Sequence, residues 1–401
     1  MKKELSHIKN IEINKMKKLL VIHNNYRQQG GEDIAVLNEL ELLQNNFEVK
    51  TLFYENKIKN ISNILAFFTL SNRSVNRAII LKINEFQPDL VYIHNTWFNI
   101  SLGIFKILKK KNVRTLIKIH NFRYHCTQSG KQKVHLDNNP FCQACGFDGS
   151  RNTFFNMYYP NSFIKSLYGI YFGKRYLKII QDEYFSIAVL TDFHKKFLEK
   201  NYSRQKKVHV IPNYLKENKN KNKNKKIKEN NYFIYAGRIS VEKGMYELLE
   251  AYLKSDLRNQ KLKIVGGGPE LTKVKNKYHN ENIEFLGQLP NHETIDLILG
   301  SKGVISATKL YEGQPTLLCE ASLNGKTALF PNSGGIKEFL PINYEFLFKQ
   351  FDYQDFTNKL NKLNENQIRQ QSSQNARQFI KSKLNSQILV NQFNEIILND
   401  D

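Results

Sequence analysis

Residues 311–320 read YEGQPTLLCE and place Glu312 and Glu320 eight positions apart. The preceding residues 303–308, GVISAT, are predicted to form a buried strand, and a helix is predicted to begin near residues 314–315. Eight residues span just over two helical turns, so the loop acid and the helix acid are predicted to face one cleft. In a doubly wound sheet that cleft lies at the carboxyl ends of the strands. Carboxylates accept hydrogen bonds from vicinal hydroxyls, so the pair suits a polyhydroxylated ligand, although an unrelated loop acid and helix acid can have the same spacing.

Two upstream turns add cations and glycines. Residues 232–244, YFIYAGRISVEKG, predict a buried strand, a turn that carries Arg238 and Lys243, and the start of a helix. Two cations beside a helix N-terminus make a site for a diphosphate. Residues 262–269, LKIVGGGP, predict a second strand whose glycine turn, which includes Gly267, lets the backbone approach a ligand. By itself this turn is also typical of a plain strand-to-helix connection, and it is not the GxGxxG of a dinucleotide fold.

Together, AGRISVEKG, VGGGPE and YEGQPTLLCE resemble the nucleotide-binding domain of the retaining GT-B glycosyltransferases of family 4, also called glycosyl transferases group 1. The resemblance implies an α/β fold, GT-B, with two Rossmann-like doubly wound domains facing across a cleft. In that family the first acid of the E-x7-E pair contacts the donor sugar and the second holds the nucleotide ribose, which maps these roles onto Glu312 and Glu320. Arg238 and Lys243 map onto the cations that neutralise the diphosphate.

The same resemblance implies further donor contacts from the motif residues Gly267, Gly313, Gln314, Pro315 and Thr316. Gln314 departs from the family pattern, in which an aromatic residue is common at this position. Residues 332–338, NSGGIKE, follow the family's pattern of a strand that ends in a Gly-Gly turn.

The N-terminal half begins with a predicted strand at residues 18–23, KLLVIH, and continues through a loop with Gly30 and Gly31 into an amphipathic helix that ends near Gln44. In the family this loop faces the donor diphosphate and the acceptor, so Gly30 and Gly31 are implied to bind. Alternatively, the paired glycines mark a helix start that requires small residues.

Two histidines follow predicted strands. Residues 115–119, TLIKI, lead to His120, and the following NFRYHC resembles the family's HN-Y-R-x-x-C element, whose His lies near the donor sugar and the acceptor. His120 is therefore a candidate catalytic residue. His94 has the same placement after the strand 89–93. A lone histidine after a strand is otherwise usually structural.

The chain has 401 residues, which suits two domains of about 200 residues each. The predicted division is a dispensable tail (1–15), an N-terminal Rossmann-like acceptor domain (16–215), a linker (216–230), a C-terminal nucleotide-sugar-binding Rossmann-like domain (231–380), and a C-terminal helix that crosses back to the first domain (381–401). The linker is almost entirely Lys and Asn, so it cannot bury enough apolar surface to order itself. Met16 is an alternative start of translation, since MKKLLVI leads directly into the first strand.

The chain is strongly basic, with 60 Lys and Arg against 37 Asp and Glu and a net charge of +23. Residues 163–207 interleave cations with aromatic and aliphatic side chains, a pattern that can bind an anionic membrane surface or form a core helix with a solvated basic face. The first fifteen residues lack the apolar core of a signal peptide, and no run approaches the roughly 18 apolar residues of a membrane span. A cytoplasmic location is predicted, peripheral on the inner face of the membrane if the basic region binds lipid.

The spacing of the cysteines is compatible with a zinc site. Cys142 and Cys145 have metal-ligand spacing and Cys126 lies upstream, so three thiols could bind zinc with His125 or His135 as a fourth ligand. Four cysteines in a chain of this length imply no disulfide framework.

The predicted function is that of a retaining, metal-independent hexosyltransferase. It would move a sugar from a nucleotide diphosphate-sugar to a saccharide or lipid-linked acceptor in surface polysaccharide biosynthesis, such as that of capsule, lipopolysaccharide or exopolysaccharide, without a cofactor. No Asp-x-Asp occurs that would hold a divalent ion.

Three other function classes each agree with part of the sequence. A nucleic-acid-binding protein fits the charge, but the cations are dispersed and no RNP-like aromatic motif occurs. A catalytically inactive transferase-like binding protein fits the fold, but all four motif residues are present. A nicotinamide dehydrogenase would require the dinucleotide fingerprint, which the chain lacks.

Overall fold

A computed structural model describes residues 16–26, 31–55, 66, 68–97, 99–122, 124–125, 141–142, 162–202, 207–216 and 229–399. The predicted tail (1–15) and most of the predicted linker (216–230) lie outside the described residues. The chain divides into two compact units. The first unit comprises the residues up to Lys118, Glu183–Ile187, and the residues from Val390 onward; the second comprises Ile119–Asp182 and Ala188–Leu389.

The first sheet has six strands in the order β2-β1-β3-β4-β5-β6. Its strands are β1 (Lys18–Asn25), β2 (Glu48–Glu55), β3 (Leu90–Ile93), β4 (Thr115–Ile119), β5 (Ser186–Val189) and β6 (Val208–Val210). The accompanying helices are α1 (Gly31–Gln44), α2 (Arg73–Phe86), α3 (Gly103–Lys110), α4 (Phe163–Gln181) and α5 (Asp192–Tyr202). Strand β1 pairs in parallel with β2 and β3, and β3 pairs in parallel with β4. Every residue of β3 and β4 is buried, as expected for a parallel sheet with both faces covered.

The first unit buries an ion cluster between α1 and the sheet. The Nζ atom of Lys118 lies 2.6 Å from Oε1 of Glu39, and both side chains are at most 1% exposed. The Tyr92 hydroxyl donates a hydrogen bond of 3.1 Å to Glu39 Oε2, and His94 Nε2 lies 3.9 Å from the same oxygen. Burial lowers the pKa of Lys118, and the neighbouring Glu39 carboxylate opposes that shift.

The second sheet has six strands in the order β12-β11-β10-β7-β8-β9, and every neighbouring pair is parallel. Its strands are β7 (Tyr232–Ala236), β8 (Lys261–Val265), β9 (Ile283–Gly287), β10 (Gly303–Ile305), β11 (Thr327–Asn332) and β12 (Leu347–Lys349). The helices that follow are α6 (Met245–Lys254), α7 (Leu271–Lys277), α8 (Asn291–Gly300), α9 (Thr316–Leu323), α10 (Tyr353–Lys362), α11 (Asn366–Lys383) and α12 (Ser386–Asn399). The two sheets confirm the predicted α/β class with doubly wound topology.

The strand predicted over residues 303–308 is shorter than expected. It ends at Ile305, because side-chain hydroxyls then take over the backbone donors. The Ser306 hydroxyl accepts from the Thr308 N–H at 3.4 Å, and the Thr308 hydroxyl accepts from the Leu310 N–H at 3.3 Å. The regular strand is therefore three residues shorter than predicted.

Helix α12 ends the described chain. From Val390 onward it belongs to the first unit, where the Phe393 ring lies 5.1 Å from the Tyr92 ring and 6.4 Å from the Phe47 ring. Among the helices of the described residues, none is long and apolar enough to cross a lipid bilayer.

Candidate functional site

The strand order of the second sheet defines where a ligand is expected. Sequence order reverses between β7 and β10, and in open α/β sheets ligands bind at the carboxyl ends of the strands at such a reversal. The chain that follows β7 carries Arg238 and Lys243, and the chain that follows β10 carries Thr308 and Glu312. The topology therefore brings the predicted cations and the first predicted acid to one edge of the sheet.

Gly244 brings these two segments into contact. It joins the 3-10 turn Val241–Lys243 to α6 and has a φ of 65°, a conformation that favours glycine. A Cβ atom at this position would lie 1.8 Å from the carbonyl oxygen of Ala307. Only glycine therefore lets the turn that carries Lys243 pack against the loop after β10.

Lys243 and Glu312 form the centre of the site. The Nζ atom of Lys243 lies 2.5 Å from Oε1 of Glu312, and the Thr308 hydroxyl donates a hydrogen bond of 3.2 Å to the same oxygen. The side chains of Lys243 and Glu312 are 27% and 20% exposed, so solvent or a ligand can reach both. Arg238 is different: its side chain is 65% exposed, and its Nη1 atom lies 4.0 Å from Oε1 of Glu242.

The loop that carries Glu312 is braced from two sides. The Gly335 N–H donates a hydrogen bond of 2.7 Å to the Glu312 carbonyl oxygen. A Cβ atom on Gly313 would lie 2.2 Å from Cε1 of His194, so glycine is required for the close approach of this imidazole. Burial lowers the pKa of His194 to about 4, which keeps the ring neutral at physiological pH.

Glu338 holds the segment that supplies His194. Its carboxylate accepts the N–H groups of Asp192 and Phe193, each at 2.9 Å, at the start of α5. A carboxylate is favoured there because the first N–H groups of a helix have no partner within the helix. The Glu312 loop therefore packs against His194. The start of the helix that carries His194 is in turn fixed by the Glu338 carboxylate.

The Gln314 side chain is buried and engaged with backbone. Its Oε1 atom accepts from the Asn213 N–H at 2.6 Å, and its Nε2 atom donates to the Asn213 carbonyl at 3.0 Å. An aromatic side chain, common at this position in the family it resembles, could not form these two bonds. The amide is therefore occupied by the chain after β6, and the donor contact implied for Gln314 stays a prediction.

Glu320 lies on the second turn of α9, which begins at Thr316, one or two residues after the predicted start. The residue is partly buried. Burial raises the pKa of Glu320 to about 7, and a hydrogen bond with the Asn291 side chain opposes the shift. The carboxyl group is therefore poised between its neutral and its ionised form near physiological pH.

Part of the second unit matches a known protein family. Residues 216–379 match the family Glycosyl transferases group 1. The chain is 28% identical over 135 residues to the putative teichuronic acid biosynthesis glycosyltransferase TuaC of Bacillus subtilis, a match that covers 34% of this chain and 33% of that protein. It is 32% identical over 144 residues to the amylovoran biosynthesis glycosyltransferase AmsD of Erwinia amylovora, covering 34% of this chain and 40% of that protein. The matches therefore span less than half the length of these two relatives.

Solved structures extend the likeness to nearly the whole chain. Sucrose-phosphate synthase from Thermosynechococcus elongatus has a TM-score of 0.67 at 13% identity and covers 95% of this chain and 98% of its own. Anabaena Alr3699/HepE in complex with UDP and glucose has a TM-score of 0.66 at 15% identity, with the same coverages of 95% and 98%. At such identities the likeness concerns the fold, and it confirms the predicted GT-B fold.

The remaining predicted residues lie on other segments of the described chain or outside it. Gly267 lies open after β8, since the nearest atom to a Cβ there would be Gln288 Oε1 at 4.0 Å. Gly31 opens α1, and a Cβ atom would meet no described atom within 4 Å, so packing does not require glycine there. Gly30 lies outside the described residues. His120 is partly buried at the end of β4, and His94 belongs to the ion cluster around Glu39.

Pro315 and Thr316 form the start of α9. Pro315 is buried and precedes the first helical residue, and Thr316 is half-buried. The donor contacts implied for both residues stay predictions.

Of the predicted zinc ligands, Cys142 is described and buried, whereas Cys126, Cys145 and His135 lie outside the described residues. Within the part of the chain that the structure describes, no group of three or more His, Cys, Asp or Glu side chains is placed to hold a metal ion.

Three residues of the site were not predicted from sequence: Thr308, His194 and Glu338. Thr308 had a usable signal, because a hydroxyl just after a strand at a sheet reversal is placed to contact a neighbouring acid. His194 and Glu338 had none, because their contacts join residues more than a hundred positions apart.

Proposed function

We propose that this protein is a retaining glycosyltransferase that moves a hexose from a nucleoside diphosphate-sugar to a saccharide or lipid-linked acceptor. The observation that carries the proposal is the accessible Lys243–Glu312 pair at the reversal of a Rossmann sheet, inside the region that matches the glycosyltransferase family. A cation and a carboxylate at one edge suit the two halves of such a donor, its diphosphate and its sugar.

Lys243 is assigned to the leaving diphosphate. Negative charge develops on the diphosphate as the sugar departs, and a positioned cation stabilises that charge more in the transition state than before it. A diphosphate would compete with Glu312 for Lys243, which leaves the carboxylate available to the sugar. Arg238 is close to Lys243 in sequence and its side chain is largely exposed, and it is assigned as the second cation. These two cations supply the charge that a divalent ion supplies elsewhere, so we assign a metal-independent reaction.

Glu312 is assigned to the donor sugar. A carboxylate beside the ring orients it and favours the positive charge of an oxocarbenium-like transition state. Retention would follow if the acceptor attacks the face from which the diphosphate leaves, within a single ion pair. Glu320, on α9, is assigned to the ribose, because a carboxylate can accept hydrogen bonds from the ribose hydroxyls.

The proposed substrate class is based on the proteins to which the chain is similar. The two curated relatives are named for the biosynthesis of teichuronic acid and amylovoran, which supports an acceptor in surface polysaccharide assembly. Alr3699/HepE was solved with UDP-glucose, and this supports a uridine diphosphate hexose among the donors to be tried first.

The test is nucleotide release from a panel of UDP-hexoses and GDP-hexoses, with and without saccharide acceptors. We expect at least one donor to be turned over, with the anomeric configuration of the transferred sugar retained in the product by NMR. Glu312→Gln serves as the matched inactive control. Absence of turnover with the whole panel, or an inverted product, would contradict the proposal.

A second element of the proposal is contact with an anionic membrane surface through α4. Its outer face exposes the apolar residues Phe163, Ile164 and Leu167 together with cations, whereas Tyr168 and Phe172 on its other face are buried. The exposed cations of α4 are Lys165, Lys174, Arg175 and Lys178. A helix that carries both exposed apolar groups and cations suits the interface of an anionic bilayer.

Sedimentation with phosphatidylglycerol vesicles tests this contact. Binding should weaken with salt and with Lys174→Glu, Arg175→Glu and Lys178→Glu combined, because screening and charge reversal act on the same attraction. Lys273→Glu with Lys275→Glu on α7 is the control for a general change of charge. Equal loss in both variants would mean that α4 has no specific role.

A further inference from the structure

The imidazole of His194 lies among aromatic rings and has a nitrogen without a partner. His194 is 4% exposed, and its Nδ1 atom is buried with no hydrogen-bond partner among the described residues. The Phe122 ring meets the imidazole edge-on at a centroid distance of 5.1 Å, and the Phe193 ring lies 5.9 Å away. A buried polar atom without a partner lowers stability, and an apolar side chain would avoid that cost. Stability of the fold therefore does not explain a histidine at this position.

One edge of the imidazole faces Gly313. A Cβ atom on Gly313 would lie 2.2 Å from Cε1 of His194 and 2.9 and 3.0 Å from its two ring nitrogens, and these are the three atoms nearest to it. Gly313 directly follows Glu312, the candidate acid for the donor sugar. The imidazole thus fills the space into which the loop could otherwise move at Gly313.

The loop has a second fixed contact on the other residue. The Gly335 N–H donates a hydrogen bond of 2.7 Å to the Glu312 carbonyl oxygen. A Cβ atom on Gly335 would lie 2.7 Å from the Gly313 carbonyl oxygen and 2.7 Å from Cγ2 of Thr191, so this turn packs between the loop and the start of α5. The Thr191 hydroxyl in turn accepts the His194 N–H at 3.2 Å. Glu312 is therefore held through its carbonyl by Gly335, and its neighbour Gly313 is held by the imidazole.

The imidazole acts without charge. Burial lowers the pKa of His194 to about 4, so the ring is neutral at physiological pH. A neutral ring does not compete for the Glu312 carboxylate, which stays bonded to Lys243 at 2.5 Å and to the Thr308 hydroxyl at 3.2 Å. His194 therefore affects Glu312 through shape and packing against the loop.

We propose that His194 is a positioning residue, whose imidazole fixes the loop at Gly313 and thereby the place of the Glu312 carboxylate beside the donor sugar. The inference rests on the proposed function, in which Glu312 favours the positive charge that develops on that sugar. A displacement of about 1 Å can lower a reaction rate by up to about 10²-fold. The diphosphate and the ribose are assigned to other side chains, so a shift of this loop should lower turnover more than donor affinity.

The experiment is a double-mutant cycle between His194→Ala and Gly313→Ala, with turnover and the Michaelis constant for the donor measured by nucleotide release. His194→Ala frees the loop at Gly313 and should lower turnover about tenfold or more, while the Michaelis constant changes little. Gly313→Ala places a methyl group against the ring and should lower turnover to a similar extent. In the double variant the methyl group occupies space that the imidazole leaves, so turnover should exceed that of Gly313→Ala alone.

Hydrogen exchange of the peptide that spans residues 311–318 measures the same coupling without substrate. Exchange should be faster in His194→Ala than in the wild type and slower again in the double variant, because the methyl group restores part of the lost packing. If exchange shows this coupling and the wild type turns over no donor, the proposed function is wrong and the positioning of the loop by His194 stands.

The matched control is Leu198→Ala. Leu198 is fully buried one turn further along α5, so its truncation loosens the same helix and leaves the imidazole against Gly313. This variant should have a lower melting temperature and near-normal turnover. The inference is overturned by near-normal turnover in His194→Ala, by losses that simply add in the double variant, or by an equal loss of turnover in Leu198→Ala.

Discussion

Two lysine–glutamate pairs, one taken from each unit of the protein, differ mainly in exposure. In the first unit, Lys118 and Glu39 lie 2.6 Å apart and are at most 1% exposed. In the second unit, Lys243 and Glu312 lie 2.5 Å apart, with 27% and 20% of their side chains exposed. The same type of ion pair is therefore buried in the first unit and accessible to solvent in the second.

The difference in exposure separates a structural role from a ligand-binding role. A buried charge has no access to water, so its partner is needed in every state of the folded protein. A partly exposed pair contributes less to stability than a buried one, and each member can exchange its partner for a ligand at smaller cost. We therefore assign Glu39 to the fold and Glu312 to the function.

The largest expected effect is on stability, from Glu39→Gln. The substitution leaves the Lys118 ammonium buried without an opposing charge, and removal of one partner of a buried pair typically costs about 3–5 kcal/mol. Urea denaturation should show this loss in the free energy of unfolding. The control is Glu85→Gln, whose carboxylate pairs with Lys50 and Lys82 but is 59% exposed, and which should unfold like the wild type. Similar midpoints for the two variants would contradict the comparison.

The second prediction concerns turnover, from Lys243→Ala. Loss of one group that stabilises developing charge lowers turnover by about 10²-fold or more, whereas the free energy of unfolding should change much less than in Glu39→Gln, because this pair is partly exposed. Steady-state nucleotide release and urea denaturation measure the two quantities. Lys254→Ala, on the exposed end of α6, should change neither. Near-normal turnover in Lys243→Ala would contradict the assignment of Lys243 to the leaving diphosphate.

The third prediction separates the two acids. Glu320→Gln should weaken nucleotide binding about tenfold with a smaller effect on turnover, because its hydrogen bonds to ribose exist before and in the transition state alike. Glu312→Gln should leave nucleotide affinity nearly intact and lower turnover instead, because a neutral amide cannot favour developing positive charge. Calorimetry with the free nucleotide and a nucleotide-release assay measure both. Equal loss of affinity in both variants would show that the assignments are wrong.

The smallest effect is a pH dependence of nucleotide affinity that originates at Glu320. Because the pKa of this carboxyl is raised to about 7, the ionised form that accepts two hydroxyl hydrogen bonds is mostly present at pH 8 and mostly absent at pH 6. Affinity should therefore fall roughly tenfold from pH 8 to pH 6. The nucleotide titrates as well, so the measured quantity is the part of the slope that disappears in Glu320→Gln. Identical slopes in the two proteins would exclude this role.

The raised pKa of Glu320 also affects the stability of the free protein, with the opposite dependence on pH. A carboxyl whose folded pKa is raised from 4.5 to about 7 binds a proton more tightly in the folded than in the unfolded chain. Its contribution to stability is therefore present at low pH and is lost as the pH rises from about 4.5 to 7. Acidification should thus favour the free protein at this group while it weakens the complex.

Much of the second sheet was predictable because its signals are local. Strand β7 occupies residues 232–236 as its apolar run predicts, β8 begins one residue before its predicted start, and α9 begins at Thr316. Gly244 lies where a close approach to the Ala307 backbone requires glycine, and Gly313 where the His194 imidazole approaches closely. The candidate residues Lys243 and Glu312 were found from their position after strands, and they are in contact.

Other features could not be predicted, because they depend on partners far along the chain. Gln314 lies in the expected loop, yet its amide is taken by Asn213, 101 positions away. Lys118 lies in an apolar strand, and nothing local to it indicates that Glu39 is its partner, 79 positions away. The strand at 303–305 ended early because Ser306 and Thr308 bond to neighbouring backbone, which hydrophobic periodicity does not reveal.

The sequence alone determined the alternation of strands and helices, the glycine turns and the acids and cations that follow the strands, because these depend on periodicity and on residue type over a few positions. Only the tertiary structure decided that the Lys118–Glu39 pair is buried, that the Lys243–Glu312 pair is accessible, and that His194 packs against Gly313. The physical reason is that charge, desolvation and packing depend on distance in space, and in this fold the decisive neighbours are tens to more than a hundred residues apart.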